Sequence, residues 1–310
     1  MHKEEWIAIT GANEARNGFF TFTQADVWNQ LKPRDPYGNK GTFGKALIIA
    51  GSYQMAGAAI LSAKAALRGG CGMVRVVTVE CNRIILQTAC PESLLGTYEE
   101  GEARDGLQER LYAWMDWADA VLIGPGLSMS DTAKTLLELV CTCCKKPLII
   151  DADGLNLLAR ELDLLEECPQ DVILTPHMGE MSRLLGCEIS EITGHMTSFG
   201  EAFAEAHRVV LALKNARSVV CAGNHKTYLN STGNDGMATA GSGDVLAGLM
   251  VSLLAQGYDA YTAACLGMYI HGAAGDLMAE EVGRAALMAS DLWDGIGKCL
   301  LKFERLRDTV

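Results

Sequence analysis

Between residues 233 and 244 the chain places Gly233, Gly236, Gly241 and Gly243, with Thr239 among them, ahead of one aspartate, Asp244. The next eleven residues, 245–255, are almost wholly apolar and predict a buried helix. Glycine lets backbone turn freely and approach a ligand closely. A helix N-terminus offers unpaired N–H groups and a partial positive charge, which suit an anion. A carboxylate at the same point can take a proton from a hydroxyl. An anion cradle beside a base is what phosphoryl transfer requires. The plainer alternative is a glycine turn with Asp244 as a helix cap, a role aspartate performs well. Asn230, Thr232, Asn234 and Thr239 add hydrogen-bonding groups just upstream and favour the phosphate site.

Other polar clusters follow short apolar runs. Thr175, Pro176, His177, Met178, Gly179 and Glu180 follow one such run. Glu180 could hold a magnesium-bound water and His177 could meet a ligand. Equally, the segment could be a strand-to-helix turn with Glu180 in the first helical turn, complementing the dipole. The glycine-flanked segment 51–57 has neither the dinucleotide fingerprint spacing nor the P-loop ending, which leaves tight packing, a substrate wall or a phosphate contact. Gly124, Pro125 and Gly126 make a tight turn that could also admit a flat ligand to the backbone. Asp151 and Asp153 put two carboxylates at one strand end, where one could cap a helix from Gly154 and the other face magnesium. His195, His207, His225 and His271 stand without motif company and are expected on the surface or in the core.

The elements that must position these residues alternate. Runs at 46–50, 74–78, 120–123, 148–151, 172–175, 209–213 and 218–221 predict strands, and 58–68 predicts a helix. Continuous β-branched runs suit strands buried on both faces of a parallel sheet, with crossover helices between them. After Asp244 the chain is almost wholly helical. In an open α/β sheet, ligands bind beyond the carboxyl ends of the strands. The loops 51–57, 124–128, 151–156, 175–180 and 214–218 should therefore converge on one crevice. Residues 1–40 are less regular and are expected to form a docked arm.

At 310 residues, with 49% hydrophobic and 21% charged residues, the chain can bury a large core. A net charge of −12 argues against partners that are nucleic acid or anionic membrane, and leaves phosphate binding to backbone amides and helix ends. Cys71, Cys221, Cys265 and Cys299 lie in apolar runs as small buried hydrophobes do. Cys141, Cys143 and Cys144 cluster without a second ligand pair at zinc spacing, so helix-end thiols in a reduced cytoplasm are expected. The N-terminal residues lack a secretory pattern and no run is long enough to span a bilayer, so the expected location is cytoplasmic.

Taken in order, the segments 40–45, 51–58, 124–127, 151–156, 175–180 and 233–244 resemble the ribokinase-like superfamily. Within it they resemble the ADP- or ATP-dependent NAD(P)H-hydrate dehydratases, over about residues 40–297. The string Gly-Ser-Gly-Asp at 241–244 is shared with ribokinase-like kinases. The residues before it, with 124–127 and 175–180, point to the dehydratase branch. The resemblance implies a single ribokinase-like domain over 1–310: a mostly parallel central sheet flanked by helices in three α/β/α layers. It implies dehydration of the S epimer of hydrated NADH or NADPH, by phosphorylation of the hydrate hydroxyl and loss of phosphate, a nicotinamide nucleotide repair.

Carried over residue by residue, Ala58, Gly126, His177 and Asp244 would contact the hydrated dinucleotide, with Asp244 as catalytic base. Gly243 and the segment Lys214, Asn215, Ala216, Arg217, Ser218 would contact the adenine nucleotide, with Thr239 and Gly241 in the phosphate turn. Glu180 would hold Mg2+ indirectly. The family commonly shows Lys-Gly-Ala-x-Thr where this chain has Asn215 for the glycine and Ser218 for the threonine. ADP is the expected donor, with ATP the alternative. A symmetric homo-oligomer and a separate hydrate epimerase are the expected partners, because the chain has no room for the epimerase domain fused to many relatives. The rival readings are a ribokinase-like kinase for a vitamin precursor of the hydroxymethylpyrimidine or hydroxyethylthiazole type, and a non-catalytic nucleotide-binding protein.

Overall fold

The structure, a computed structural model, describes residues 18–307. Its strands are β1 (Phe19–Phe20), β2 (Lys45–Ile49), β3 (Met73–Val79), β4 (Leu94–Tyr98), β5 (Ala120–Ile123), β6 (Leu148–Ile150), β7 (Val172–Leu174), β8 (Val210–Leu213), β9 (Val219–Cys221) and β10 (Thr227–Leu229). They form one ten-stranded sheet in the order β1-β10-β9-β8-β7-β6-β5-β2-β3-β4. Pairing is parallel except where β9 runs against β8 and β10. The chain goes from β2 outward to β3 and β4, then returns to lay β5 on the other side of β2. This reversal is a topological switch point, the place where open α/β sheets leave a crevice at their strand ends.

Period-two alternation sends side chains to two cores. Ala46, Ile48, Val74, Val76, Leu122, Ile149 and Ile173 face one side. Leu47, Ile49, Val77, Val121, Ile123, Ile150 and Leu174 face the other. Helices cover both faces, giving the three-layer arrangement the sequence implied. Helices α1 (Gln24–Gln30) and α2 (Ala56–Arg68) come early in the chain. Helix α3 (Arg83–Ala89) lies on the first face beside β4, where Leu86 joins that core, and the far face is covered by α4 (Arg104–Trp117), α5 (Asp131–Cys143), α6 (Asp153–Leu158), α7 (Met178–Leu185), α8 (Ile189–Thr193) and α9 (Met196–His207). The C-terminal third supplies α10 (Ser242–Ala255), α11 (Ala260–Val282) and α12 (Ala289–Arg307). Among the described residues no helix is long and apolar enough to cross a membrane.

Three strands escape the sequence pattern. β1 and β10 are too short to show a period, and β4 carries Gly96 inside it, where a side chain would collide with Trp114. The run 218–221 was expected as one more parallel strand. Only residues 214–218 separate β8 from β9, too few for a crossover, so the pair closes as an antiparallel hairpin. Residues 1–17 of the expected arm lie outside the described residues. From Phe19 onward the arm is docked: β1 pairs with β10, a Thr23–Asp26 capping box opens α1, and the Lys32 amide donates to Tyr258 Oη at 2.7 Å.

Helix α10 is buried on every side, because it lies between the sheet, α2 and α11. Close approach to α2 depends on Gly248, where an added Cβ would stand 2.2 Å from the Ser62 carbonyl oxygen. Helix propensity alone favours alanine over glycine by about 1 kcal/mol. Overpacking against backbone reverses that sign, so Gly248→Ala is expected to cost about 1–3 kcal/mol in denaturant unfolding. An unchanged or raised stability would show that the two helices part freely.

Candidate active site

The strand-end loops do converge. At the switch point the Gly51 amide donates to the Pro125 carbonyl at 2.8 Å. Gly126 has φ +57°, and a Cβ there would stand 2.8 Å from that of Ala58, so the two residues hold their loops in contact. Gly124 has φ +126° and lies against the Asp151 carbonyl. The Lys214 amide donates to the Pro176 carbonyl at 2.7 Å, and His177 bridges Lys214 as one extra rung between β7 and β8.

The glycine turn closes this crevice from the helical side. Helix α10 begins at Ser242, three residues before the start expected from its apolar run, so Asp244 sits inside the first turn and does not cap it. The cap residue is Gly241 at φ +90°, which has no side chain to offer, and the first-turn amides of Gly243 and Asp244 stay open. Burial pushes the half-buried Asp244 carboxyl up to about 7, with Asp151 and Asp153 adding repulsion and Lys214 opposing. Two residues outside the sequence motifs hold the turn in place. Ser62 Oγ donates to the Asp244 carbonyl at 3.1 Å, and His271 Nε2 lies 3.0 Å from the Ser242 carbonyl. Burial pushes His271 down to about 4, so it is neutral and donates from Nε2. Its sequence context carried no signal of this, since the partner lies 29 residues away.

Beneath the turn lies a buried ion pair. Lys214 Nζ is 2.7 Å from Asp151 Oδ1, which also accepts from Thr175 Oγ1 at 2.6 Å. Burial alone would lower the Lys214 ammonium, but the carboxylates of Asp151, Glu180 and Asp244 hold it above its ordinary value. A Cβ at Gly243 would stand 3.2 Å from Lys214 Nζ, so the ammonium lies directly under the anion cradle. Asp151 Oδ2 is buried and has no hydrogen-bond partner among the described residues.

His177 and Glu180 cap α7 reciprocally. His177 Nδ1 accepts from the Gly179 amide at 2.9 Å, and Glu180 Oε2 accepts from the His177 amide at 2.8 Å. Burial pushes Glu180 up to about 7, with Lys214 opposing, and lowers His177. The strand-to-helix turn reading therefore describes both residues, and Nε2 of exposed His177 lies 3.4 Å from Glu180 Oε1.

Some sequence candidates do other work. Asn230, Thr232 and Asn234, expected to help hold phosphate, instead bind the turn together and to α11: Thr232 Oγ1 donates to the Tyr269 carbonyl and Asn234 Nδ2 to Asp276. Thr239 contributes its carbonyl to the Ser242 amide. Asp153 does not cap a helix from Gly154; α6 begins at Asp153 itself, and its Oδ2 accepts from the Ser128 amide at 2.8 Å. Asn215 does not have positive φ, so it replaces the family glycine without backbone strain, and its side chain folds back to accept from the Ala216 amide. The Ser218 hydroxyl donates to the Asn215 carbonyl within the same turn. All eleven cysteines are free, and Cys71, Cys221, Cys265 and Cys299 are buried as expected.

The sequence profile of the NAD(P)H-hydrate dehydratase family matches residues 46–298. The chain belongs to that family. The ADP-dependent (S)-NAD(P)H-hydrate dehydratase of Neisseria meningitidis serogroup B is 35% identical over 268 residues, covering 84% of this chain and 86% of the relative. The bifunctional NAD(P)H-hydrate repair enzyme of Moorella thermoacetica is 38% identical over 296 residues, 93% of this chain and 55% of the relative. The chain thus spans about half the length of the bifunctional relatives it matches. The crystal structure of the ADP/ATP-dependent NAD(P)H-hydrate dehydratase from Bacillus subtilis, co-crystallised with ATP/Mg2+, superposes with a TM-score of 0.80 at 29% identity. That match covers 93% of this chain and 99% of the other. The dehydratase family therefore accounts for the mostly parallel sheet flanked by helices.

Proposed function

We propose that this protein converts the S epimer of hydrated NADH and NADPH back to NAD(P)H at the expense of an adenine nucleotide, with ADP as donor. The observation that carries this reading is the placement of Asp244: a half-buried carboxyl in the first turn of an uncapped helix, facing the ends of the parallel strands. The names of the family and of its Neisseria and Bacillus members support the substrate and the nucleotide.

Hydroxide leaves a carbon poorly; phosphate leaves well. Asp244 takes the proton of the hydrate hydroxyl as that oxygen bonds to the terminal phosphorus of the donor, whose bridging P–O bond breaks. The open amides beside Gly243 and the Lys214 ammonium stabilise charge on the transferring group. The ring nitrogen lone pair then expels phosphate and a ring proton is lost, which restores the dihydropyridine. In this reading Ala58, Gly126 and His177 wall the dinucleotide, and Lys214, Asn215, Ala216, Arg217, Ser218, Thr239 and Gly241 border the nucleotide.

The donor set suits magnesium. Asp151 Oδ2 is a buried oxygen without a hydrogen-bond partner among the described residues, and Glu180 adds a second buried carboxyl group. Among the described residues no three acidic, histidine or cysteine side chains come together to hold an ion unaided, which suits a metal that takes most of its ligands from water and phosphates. Bound there, magnesium would neutralise charge on the nucleotide phosphates. A hydrate epimerase is the partner that would supply the S epimer.

The test incubates the protein with NADH hydrate, magnesium and either ADP or ATP. Recovery of NADH absorbance with release of inorganic phosphate, faster with ADP, is expected. Accumulation of a stable phosphorylated product would make the protein a kinase instead.

A further inference from the structure

The crevice gathers carboxyl groups from Asp151, Asp153, Glu180 and Asp244, and its lysine is engaged with Asp151. A dinucleotide brings further negative charge on its diphosphate, and a phosphorylated ribose brings more. Fixed cations beside the crevice would offset that charge alongside the backbone amides, and a chain of net charge −12 has few to spare.

An open cleft of about 520 Å³ lies beside the crevice, lined by Met129, Asn156, Ala159, Arg160 and Arg183. These residues come from the segments that follow β5, β6 and β7, three adjacent parallel strands. It lies between the segment that carries Gly126 and the helix capped by His177. The turn 214–218 instead follows β8, on the far side of β7 from β6. Arg183 Nε donates to Asn156 Oδ1 at 2.8 Å, and Asn156 Nδ2 donates to Asp153 Oδ1 at 3.4 Å. Asp153 in turn holds the Ser128 amide, so this chain fixes the guanidinium relative to the loop after β5. Arg183 Nη1 also comes within 3.9 Å of where a side chain on Gly179 would begin. Among the described residues neither Arg160 nor Arg183 forms an ion pair within 4.0 Å.

We propose that Arg160 and Arg183 form a phosphate-binding subsite for the dinucleotide substrate, a proposal that rests on the dehydratase reading. Guanidinium groups from the turn after α6 and from α7 can each present parallel N–H donors to phosphate oxygens, a geometry lysine lacks. The sequence gives no hint of the pair, because Arg160 and Arg183 belong to no motif and meet only through the fold.

The experiment measures binding without catalysis. NADPH, NADH and ADP are titrated into the wild-type protein and the Arg160→Ala/Arg183→Ala double variant, with thermal unfolding as a check that the exposed substitutions leave folding intact. The dissociation constant for NADPH is expected to rise about tenfold or more, with ADP binding changed by less than about twofold. An equal loss for NADH assigns the subsite to the diphosphate, and a loss confined to NADPH assigns it to the ribose phosphate; either supports the proposal. Unchanged NADPH binding, a wild-type protein that binds no NADPH, or a loss that falls on ADP overturns it. Arginine-dependent NADPH binding by a protein that cannot turn over the hydrate would instead overturn the dehydratase reading and leave the subsite standing.

Discussion

Asp244→Asn is expected to lower kcat about 10²-fold or more while the KM for nucleotide stays within about twofold. Asparagine keeps the size and hydrogen-bonding reach of the side chain and removes only its ability to accept a proton. The carboxyl, pushed up to about 7 by burial and by Asp151, acts as base only when ionised, so wild-type kcat should climb as pH rises through about 7 and level above it. The variant should lose that limb along with the rate. Glu180 is also pushed up to about 7, so the limb is a shared property of neighbouring groups until the variant is measured. A limb that survives in Asp244→Asn belongs to Glu180, and a near-wild-type kcat removes Asp244 from the role of base. Stability should move the opposite way. A carboxyl raised above its ordinary 3.8 binds its proton more tightly when folded, so the folded state loses stability as pH rises from about 4 to about 7. Asp244→Asn removes that cost. Its melting temperature should exceed wild type at about pH 8, and the difference should vanish near pH ~4.

The resemblance fixed the family, and the residue pattern alone predicted much of the scaffold. Seven apolar runs without polar alternation mark β2, β3, β5, β6, β7, β8 and β9, because strands buried on both faces need hydrophobic residues on both. The strand-end loops could be expected to meet from the α/β rule alone, and Gly51, Gly124 and Gly126 do meet there. Residues whose roles are set by contacts distant in sequence were not legible. His271 holds the glycine turn from α11, Ser62 holds it from α2, and Asp276 takes the amide of Gly233 and the side chain of Asn234. The same reason misassigned Asn230, Thr232 and Asn234. Polar residues ahead of a glycine turn look like ligand groups until the helix that occupies them is in view. Lys214 was legible as a nucleotide residue by family pattern, but not as the partner of Asp151, which lies 63 residues earlier.

That partnership gives the largest expected effect on stability. Lys214→Met is expected to destabilise the protein by about 3–5 kcal/mol, because Asp151 would be left as a buried charge without its counter-ion. The side chains are 18% and 1% exposed, so water cannot easily replace the ammonium. Asp151→Asn in the same background removes the stranded charge. The double variant should therefore recover much of the loss, and a double-mutant cycle in denaturant unfolding measures the coupling. The pair also reaches the chemistry. Lys214 lowers the proton affinity of Asp244 and so opposes the burial that raises it. Without the ammonium, Asp244 would stay protonated to higher pH, and whatever turnover remains should show its rising limb displaced upward from about 7. The two readouts separate the roles. Lost stability with an unmoved limb makes the pair structural only. A displaced limb with stability changed by less than about 1 kcal/mol would mean that water enters and screens Asp151. Both effects together are expected, because one ammonium lies between the buried carboxylate of Asp151 and the turn that carries Asp244.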